Sequence, residues 1–230
     1  MTASTGGVVF IQALALGIEP EWRRRPEASR REDLASFLAA EADAAGDDVH
    51  CELYSSIGLE PGVDLILWRW ATTVDALEVA GARTLRSGLG TWSRVRDVFL
   101  ARTAPSQYAA RPSSQEQGLL TGERSRYLIV YPFTKSTDWY LTPRETRQKV
   151  MNEHMKLGHQ YPSVRQALGY SFGLDDQDFL VAYETDDLPA FGDLVRELRA
   201  TESRRSTVRD TPILLGIRRN HAELAELLGA

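Results

Sequence analysis

The feature of this sequence that most constrains its fold is an order of secondary-structure elements that occurs twice. In the first hundred residues, apolar and β-branched runs bounded by turn residues predict strands at 7–16, 49–57, 63–71 and 92–101. One helix is predicted from a capping box at Ser29 to Gly46, and a second from Thr72 or Thr73 to about Gly88. The predicted order of the first half is therefore β-α-β-β-α-β.

The second half of the chain repeats this order. Its strands are predicted at 126–133, 164–172, 179–183 and 212–217. One helix begins at a capping box formed by Thr142 and Glu145 and ends at Gly158, and another carries Phe191 and Leu194 on its apolar face. Because β-α-β-β-α-β is the order of a ferredoxin-like unit, the sequence predicts an α+β fold made of two such units. Two sheets of this kind can pair into a closed or nearly closed barrel, which hides their edges.

The two predicted halves are separated by a segment with few large apolar residues. Residues 103–123 are rich in Ser, Gln, Pro and Gly, a composition that is typical of a linker or a mobile loop. We therefore predict an N-terminal half at 1–102, a linker or mobile loop at 103–125, and a C-terminal half at 126–230.

Composition excludes several classes of protein. A chain of 230 residues can bury a core without a metal or disulfide staple, and its one cysteine, Cys51, rules out an intramolecular disulfide. A net charge of −5 argues against a nucleic-acid partner. No apolar run reaches the roughly 18–20 residues that would span a bilayer, and no basic segment precedes the first apolar stretch as in a signal peptide. We expect a cytoplasmic globular protein with no membrane association.

Residues that could carry chemistry concentrate between positions 127 and 178. Strong generic motifs such as a P-loop or a CxxC pair do not occur in the sequence. The chain has three lysines among its 27 basic residues, so Lys135, at the end of a predicted strand, is not an ordinary surface residue. His154 lies on the apolar stripe of a predicted helix, and Tyr131 lies four residues before Lys135.

Each of these residues has a structural and a functional interpretation. His154 is either a hydrogen-bonded core histidine or an axial ligand of haem iron, which requires a neutral imidazole in an apolar setting. Tyr131 is either a strand tyrosine with its hydroxyl at the rim or a redox-active phenol beside a cofactor. Lys135 is either a solvated loop lysine or an anion clamp. Gln166, taken alone, indicates neither a structural nor a functional role.

The segment resembles the chlorite dismutase-like haem protein family and, within it, the coproheme decarboxylases. The resemblance covers the whole chain in element order and residues 124–218 in motifs. Those motifs are Tyr131-Pro132-x-x-Lys135, Trp139-Tyr140, Glu153-His154, Tyr161, Gln166, Gly173-Leu174-Asp175-Asp176 and Asp210-Thr211-Pro212. The family fold is a dimeric α+β barrel of two ferredoxin-like halves, in agreement with the order of elements.

The resemblance also implies a role for each matching position. His154 matches the proximal iron ligand, Tyr131 the tyrosine that becomes a radical, and Lys135 the lysine that contacts a propionate. Trp139 falls among the residues that bind the cofactor. Gln166 falls where one lineage of decarboxylases has a distal glutamine, whereas chlorite dismutases have an arginine there.

This chain departs from the family pattern at several points. Arg165 is adjacent to Gln166, so an alignment shifted by one residue would place an arginine at the distal position. Met155 follows His154 where glycine is common, and the loop between Lys135 and Trp139 is shorter than in some decarboxylases.

The function implied by the resemblance is oxidative decarboxylation in haem synthesis. Iron-coproporphyrin III is then both substrate and cofactor, hydrogen peroxide is the oxidant, two propionates become vinyl groups, and haem b is the product. The alternatives are a chlorite-decomposing or peroxidase-type haem enzyme, a haem carrier or sensor, and a cofactor-free barrel in which His154 is structural. A homo-oligomer, commonly a pentamer, is the implied assembly.

Overall fold

The computed structural model of the chain describes residues 7–44, 49–108 and 124–230. Its strands are β1 (Phe10–Ile18), β2 (His50–Glu60), β3 (Val63–Ala71), β4 (Ser93–Arg102), β5 (Tyr127–Lys135), β6 (Arg165–Tyr170), β7 (Phe179–Thr185), β8 (Thr207–Arg209) and β9 (Leu214–Arg218). Its α-helices are α1 (Pro20–Arg23), α2 (Glu27–Ala44), α3 (Val74–Arg86), α4 (Thr137–Leu141), α5 (Arg144–Gly158), α6 (Leu188–Leu198) and α7 (His221–Leu228). Two 3₁₀-helices, at Gly88–Trp92 and Glu202–Ser206, precede β4 and β8.

The chain divides into two compact units. Unit 1 contains residues 1–102 and 215–230, and unit 2 contains residues 103–214. The last segment of the chain therefore groups with the first half, whereas the sequence-based division assigned it to the second. The predicted linker at 103–125 begins in unit 2, and residues 109–123 lie outside the described part of the chain.

Unit 1 is an antiparallel sheet with helices on one face. Strand β1 pairs with β3 and β4, and β2 pairs with β3. Strand β9 pairs with β2 through Ser55↔Ile217 and Tyr54↔Arg218. Gly216 is required at this crossing, because a Cβ atom there would lie 2.6 Å from the Cβ of Tyr54.

The core of unit 1 is filled by large apolar side chains. Leucines of β1 and β3 pack with Leu34 and Phe37 of α2, with Trp22 of α1 and with Leu224 of α7. One charged pair is buried beside this core: Arg69 of β3 is fully buried and donates from Nη2 to both carboxylate oxygens of Glu41 at 2.7 Å. A buried arginine of this kind is tolerated because it is paired.

Unit 2 contains the second β-α-β-β-α-β set. Strand β7 pairs with β5 and β6, and the short strand β8 pairs with the end of β5. Helices α5 and α6 contact each other. The sequence predicted the closing strand of this half at 212–217, and β9 lies there at Leu214–Arg218. The fourth strand of unit 2 is instead β8, which was not predicted, and β9 pairs with β2.

Of the helix caps at Ser29, Thr73 and Thr142, only the cap at Thr73 forms as predicted. The predicted cap of α3 is confirmed, because the Thr73 hydroxyl accepts a hydrogen bond from the backbone N–H of Ala76. The capping box at Thr142 does not form, because its hydroxyl donates to the Asp138 carbonyl at 2.7 Å and α5 begins after Pro143. Helix α2 begins at Glu27, so Ser29 lies inside its first turn. Within the described residues, no helix is long and apolar enough to cross a membrane.

Candidate functional site

Unit 2 contains a cavity of about 210 Å³ beside its sheet. Alternation along each strand directs every second side chain toward it: Tyr131 and Phe133 from β5, Gln166, Leu168 and Tyr170 from β6, and Phe179, Val181 and Tyr183 from β7. The remaining wall comes from Lys135 and Ala167, from helices α4, α5 and α6, and from residues 106–108, 172, 199 and 203–210. All five residues that the sequence singled out, Tyr131, Lys135, Trp139, His154 and Gln166, line this one cavity.

His154 presents a neutral imidazole to the cavity. It lies on α5, where Met151 and Met155 also line the wall. Burial, with a smaller contribution from the charge of Lys135, lowers the pKa of His154 from 6.5 to about 4. Its Nδ1 atom is buried and has no hydrogen-bond partner in the described part of the chain. In the described residues, Nδ1 therefore does not make the hydrogen bond that the structural interpretation of His154 requires.

Tyr131 is a protonated phenol at neutral pH. Burial is the main cause that raises its pKa well above 10, and the neighbouring Tyr183 hydroxyl and the charge of Asp210 raise it further. Its ring stacks on that of Tyr183, with 6.1 Å between the centroids and 28° between the planes. Tyr183 is 4% exposed, and burial raises its pKa as well. Neither hydroxyl is ionised under physiological conditions.

The Lys135 ammonium is buried in a set of specific contacts. Its Nζ donates to the Ser203 carbonyl at 2.7 Å, to the Ser203 hydroxyl at 3.1 Å and to the Ser206 hydroxyl at 3.4 Å. The same atom lies 4.7 Å from the centre of the Trp139 ring. Burial, together with the charge of Arg204, lowers the pKa of Lys135 from 10.5 to about 8. The solvated loop lysine of the structural interpretation is therefore excluded, and the ammonium remains charged at pH 7.

Asp178 fixes the turn that carries Lys135 and Trp139. One of its carboxylate oxygens, Oδ2, accepts hydrogen bonds from the Lys135 backbone N–H and from the Tyr140 hydroxyl, each at 2.7 Å. Helix α4 follows directly, and its Trp139 is 6% exposed. The end of β5 and the start of α4 are thereby held as one rigid corner of the cavity.

Gln166 and Arg165, which are neighbours on β6, have different surroundings. Gln166 lines the cavity, and Arg165 is not among the lining residues in the described part of the chain. Arg165 instead donates to the buried Glu184 at 2.9 Å and to the Ser125 hydroxyl at 3.0 Å. The period of a strand requires this separation, because neighbouring residues point to opposite faces.

A comparison of the sequence with models of protein families identifies the family of the chain. Residues 28–219 match the model described as chlorite dismutase. The chain belongs to the chlorite dismutase family. The family recognised from the motifs is therefore confirmed, and the match covers most of the chain.

Individual members of the chlorite dismutase family resemble this chain over most of its length. A coproheme decarboxylase from Mycolicibacterium smegmatis is 33% identical over 189 residues, which are 81% of this chain and 80% of that protein. A putative heme-binding protein from Halobacterium salinarum is 30% identical over 79% of this chain and 41% of its own length. The crystal structure of a mutant chlorite dismutase from Candidatus Nitrospira defluvii superposes with a TM-score of 0.87 at 26% identity, covering 96% of each chain. The predicted α+β fold class is confirmed by this likeness.

Several residues that line the cavity of unit 2 were not identified from the sequence. Arg199, Arg204 and Asp210 lie along one side of it, and Asp210 pairs with both arginines. Asp210 belongs to a motif that the sequence analysis noted without assigning it to the site. Tyr108, from the start of the predicted linker, also lines the cavity and packs edge-on against Trp139 at 6.4 Å. A polar loop residue carries no periodic signal that could have indicated this position.

Proposed function

We propose that this protein oxidatively decarboxylates two propionates of iron-coproporphyrin III to vinyl groups with hydrogen peroxide and so makes haem b. The observation that carries the proposal is the convergence of Tyr131, Lys135 and His154 on one cavity. The similarity to a coproheme decarboxylase supports it. For each propionate, one peroxide accepts two electrons and two protons to form two waters, while the side chain loses carbon dioxide and two hydrogen atoms.

The cavity suits an iron porphyrin in three respects. Its walls are mainly aromatic and aliphatic, as a flat macrocycle requires. His154 offers a neutral imidazole whose pKa of about 4 removes competition from protons at pH 7. Four cations, Lys135, Arg147, Arg199 and Arg204, line the same space and complement carboxylate groups. When bound, the iron porphyrin would supply the one-electron chemistry that no side chain provides.

In this proposal His154 ligates the iron and Tyr131 removes the hydrogen atom. The Tyr131 phenol is protonated and largely shielded from water, so its O–H bond is available for one-electron oxidation coupled to proton loss. A propionate bound next to Tyr131 would supply the proximity on which the step depends. Trp139 and Gln166, which line the same cavity, would contact the bound porphyrin.

Lys135 holds the carboxylate of the reacting propionate in this proposal. The ammonium already has acceptors in Ser203 and Ser206, so a propionate would replace or join the weakest of these contacts, the one at 3.4 Å to Ser206. A charge-assisted hydrogen bond in such a setting contributes about 1.5–3 kcal/mol. The buried hydrogen bond from Nζ to the Ser203 carbonyl would keep the Lys135 ammonium in place.

Product analysis after peroxide addition tests the proposal. Purified protein is mixed with ferric coproporphyrin III, titrated with hydrogen peroxide, and the porphyrin is separated by chromatography against a haem b standard. We expect haem b after about two equivalents of peroxide, through an intermediate with three propionates. Unchanged coproporphyrin together with peroxide consumption would indicate a peroxidase, and unchanged coproporphyrin without turnover would indicate a carrier.

The proposal extends to the assembly and the location of the protein. We propose a homo-oligomer in the cytoplasm, a pentamer as the resemblance implies. Light scattering on the purified protein measures the assembly directly.

A further inference from the structure

A second tyrosine, Tyr183, lies beside Tyr131 in the cavity and has no role in the proposed function. Tyr183 lies on β7, which pairs with β5, and both side chains point to the cavity face of the sheet. The two rings are nearly parallel, with centroids 6.1 Å apart. On another side, the Tyr183 ring packs against Phe191 of α6 at 5.1 Å. Tyr183 is therefore fixed on one side by helix packing and on the other by Tyr131.

We propose that Tyr183 exchanges a hydrogen atom with Tyr131 and so shares the oxidising equivalent that Tyr131 receives. This inference rests on the proposed function, because that function supplies the oxidant, hydrogen peroxide acting at the bound porphyrin. In the exchange, the O–H bond of Tyr183 breaks and its proton and electron pass to the phenoxyl oxygen of Tyr131. A new O–H bond forms on Tyr131, which is reduced as Tyr183 is oxidised, and no other reactant is consumed.

The surroundings of the pair favour this exchange. Both phenols are buried and keep their protons at neutral pH, so each can donate a hydrogen atom. The two side chains are of the same chemical type, so the exchange needs little driving force. The hydroxyl of each phenol also affects the pKa of the other, as expected for oxygen atoms that lie near one another.

No other tyrosine of the described residues combines these properties. Tyr140 donates its hydroxyl to Asp178 and is 37% exposed. Tyr170 lines the cavity, but its ring packs against Phe179 at 5.5 Å. Tyr170 therefore provides a matched control, because it is a phenol of the same cavity without the stacking on Tyr131.

The decisive experiment is freeze-quench electron paramagnetic resonance of protein loaded with ferric coproporphyrin III and mixed with peroxide. We expect the wild-type protein to give the signals of two tyrosyl radicals, one of which disappears in Tyr183→Phe and persists in Tyr170→Phe. Both signals should be absent from Tyr131→Phe, because the hydrogen atom of Tyr183 then has no phenoxyl oxygen to accept it. A wild-type spectrum in Tyr183→Phe would overturn the proposal, and so would a Tyr183 radical that forms in Tyr131→Phe.

A titration without porphyrin provides an independent readout. The ultraviolet titration of phenols in the porphyrin-free protein is compared between wild type and Tyr183→Phe. We expect the Tyr131 transition to move to lower pH in the variant, because the Tyr183 hydroxyl raises the pKa of Tyr131. An unchanged transition for every remaining phenol would show that the two hydroxyls do not interact, and the exchange would be excluded.

The two proposals fail separately. If peroxide generates the radicals as described but no carbon dioxide is released, the decarboxylase function is wrong and the exchange stands. If carbon dioxide is released and the radical pattern does not depend on Tyr183, the exchange alone is wrong.

Discussion

At the scale of single residues, His154 and Lys135 share one cavity, and the charge of Lys135 affects the protonation of His154. The positive charge of Lys135 adds to burial in lowering the pKa of His154. Lys135 stays protonated at pH 7, since three oxygen acceptors stabilise its ammonium. The cavity thus combines a neutral imidazole with a fixed cation, an arrangement that suits the negatively charged iron porphyrin of the proposed function.

Removal of His154 should abolish iron coordination without unfolding the protein. The buried Nδ1 has no partner to lose in the described residues, so we expect His154→Ala to change the free energy of unfolding by only about 1 kcal/mol. Affinity for ferric coproporphyrin should fall at least tenfold, or about 1.4 kcal/mol. The Soret spectrum and a urea titration measure the two effects. The matched control is His159→Ala at the exposed end of α5, and a wild-type Soret spectrum in His154→Ala would contradict the assignment.

Lys135 should make stability depend on pH in the alkaline range. Its pKa is about 8 in the folded protein and 10.5 in the unfolded chain, so between these values the unfolded chain binds more protons. The free energy of unfolding should therefore rise with pH from about 8 to about 10.5, by up to roughly 3 kcal/mol. The measurement is the difference in unfolding free energy between wild type and Lys135→Met across this range. A difference that does not change with pH would show that the ammonium has an ordinary pKa.

The residues that sequence reasoning identified are those with an unusual type for their position. Lys135 was noticed because lysine is rare in this chain, and His154 because it interrupts an apolar stripe. Tyr183 was missed because it lies inside the apolar run of β7, where a tyrosine is typical of an ordinary core strand. Its importance depends on the pairing of β7 with β5, which a single sequence does not specify.

At the scale of elements, the corner between β5 and α4 positions two site residues at once. Asp178, from the turn before β7, binds both the backbone of Lys135 and the hydroxyl of Tyr140. The Ser136 hydroxyl caps α4 by accepting from the backbone N–H of Trp139. The directions of the ammonium and of the indole therefore depend on the same few hydrogen bonds.

Loss of the Asp178 carboxylate should loosen this corner. We expect Asp178→Ala to lower the free energy of unfolding by about 2–4 kcal/mol, because two hydrogen bonds to a charged acceptor are lost. The neighbouring Asp176 is exposed, and Asp176→Ala should change stability by less than about 0.5 kcal/mol. Urea unfolding of both variants measures the contrast. Equal stability of the two variants would mean that Asp178 does not hold the corner.

The sequence predicted the presence of the longer strands and helices better than it predicted their end residues. The apolar period located the longer strands and the helices α2, α3, α5 and α6, because burial imposes that pattern directly, whereas α1, α7 and β8 were not predicted. Helix α4 was missed, since five residues are too few to show a helical period. The partner of β9 was not predicted, because pairing between distant segments leaves no local signal in the sequence.

At the scale of the whole molecule, two units with the same element order have different interiors. In unit 1, Leu67, Leu34 and Phe37 fill the space between sheet and helices. In unit 2, aromatic and polar side chains surround a cavity in the equivalent place. A repeat of element order predicted both units, but only the identity of the side chains decides which one retains space for a ligand.

The most direct test of the account is a comparison of Tyr131→Phe with the wild type in carbon dioxide release from ferric coproporphyrin III. The substitution removes one hydroxyl and preserves the ring, so packing and binding through His154 should change little. We expect wild type to release two molecules of carbon dioxide per porphyrin after peroxide addition. Tyr131→Phe should bind the porphyrin with a wild-type Soret spectrum, consume peroxide and release almost none. Release at the wild-type rate by Tyr131→Phe would contradict the account.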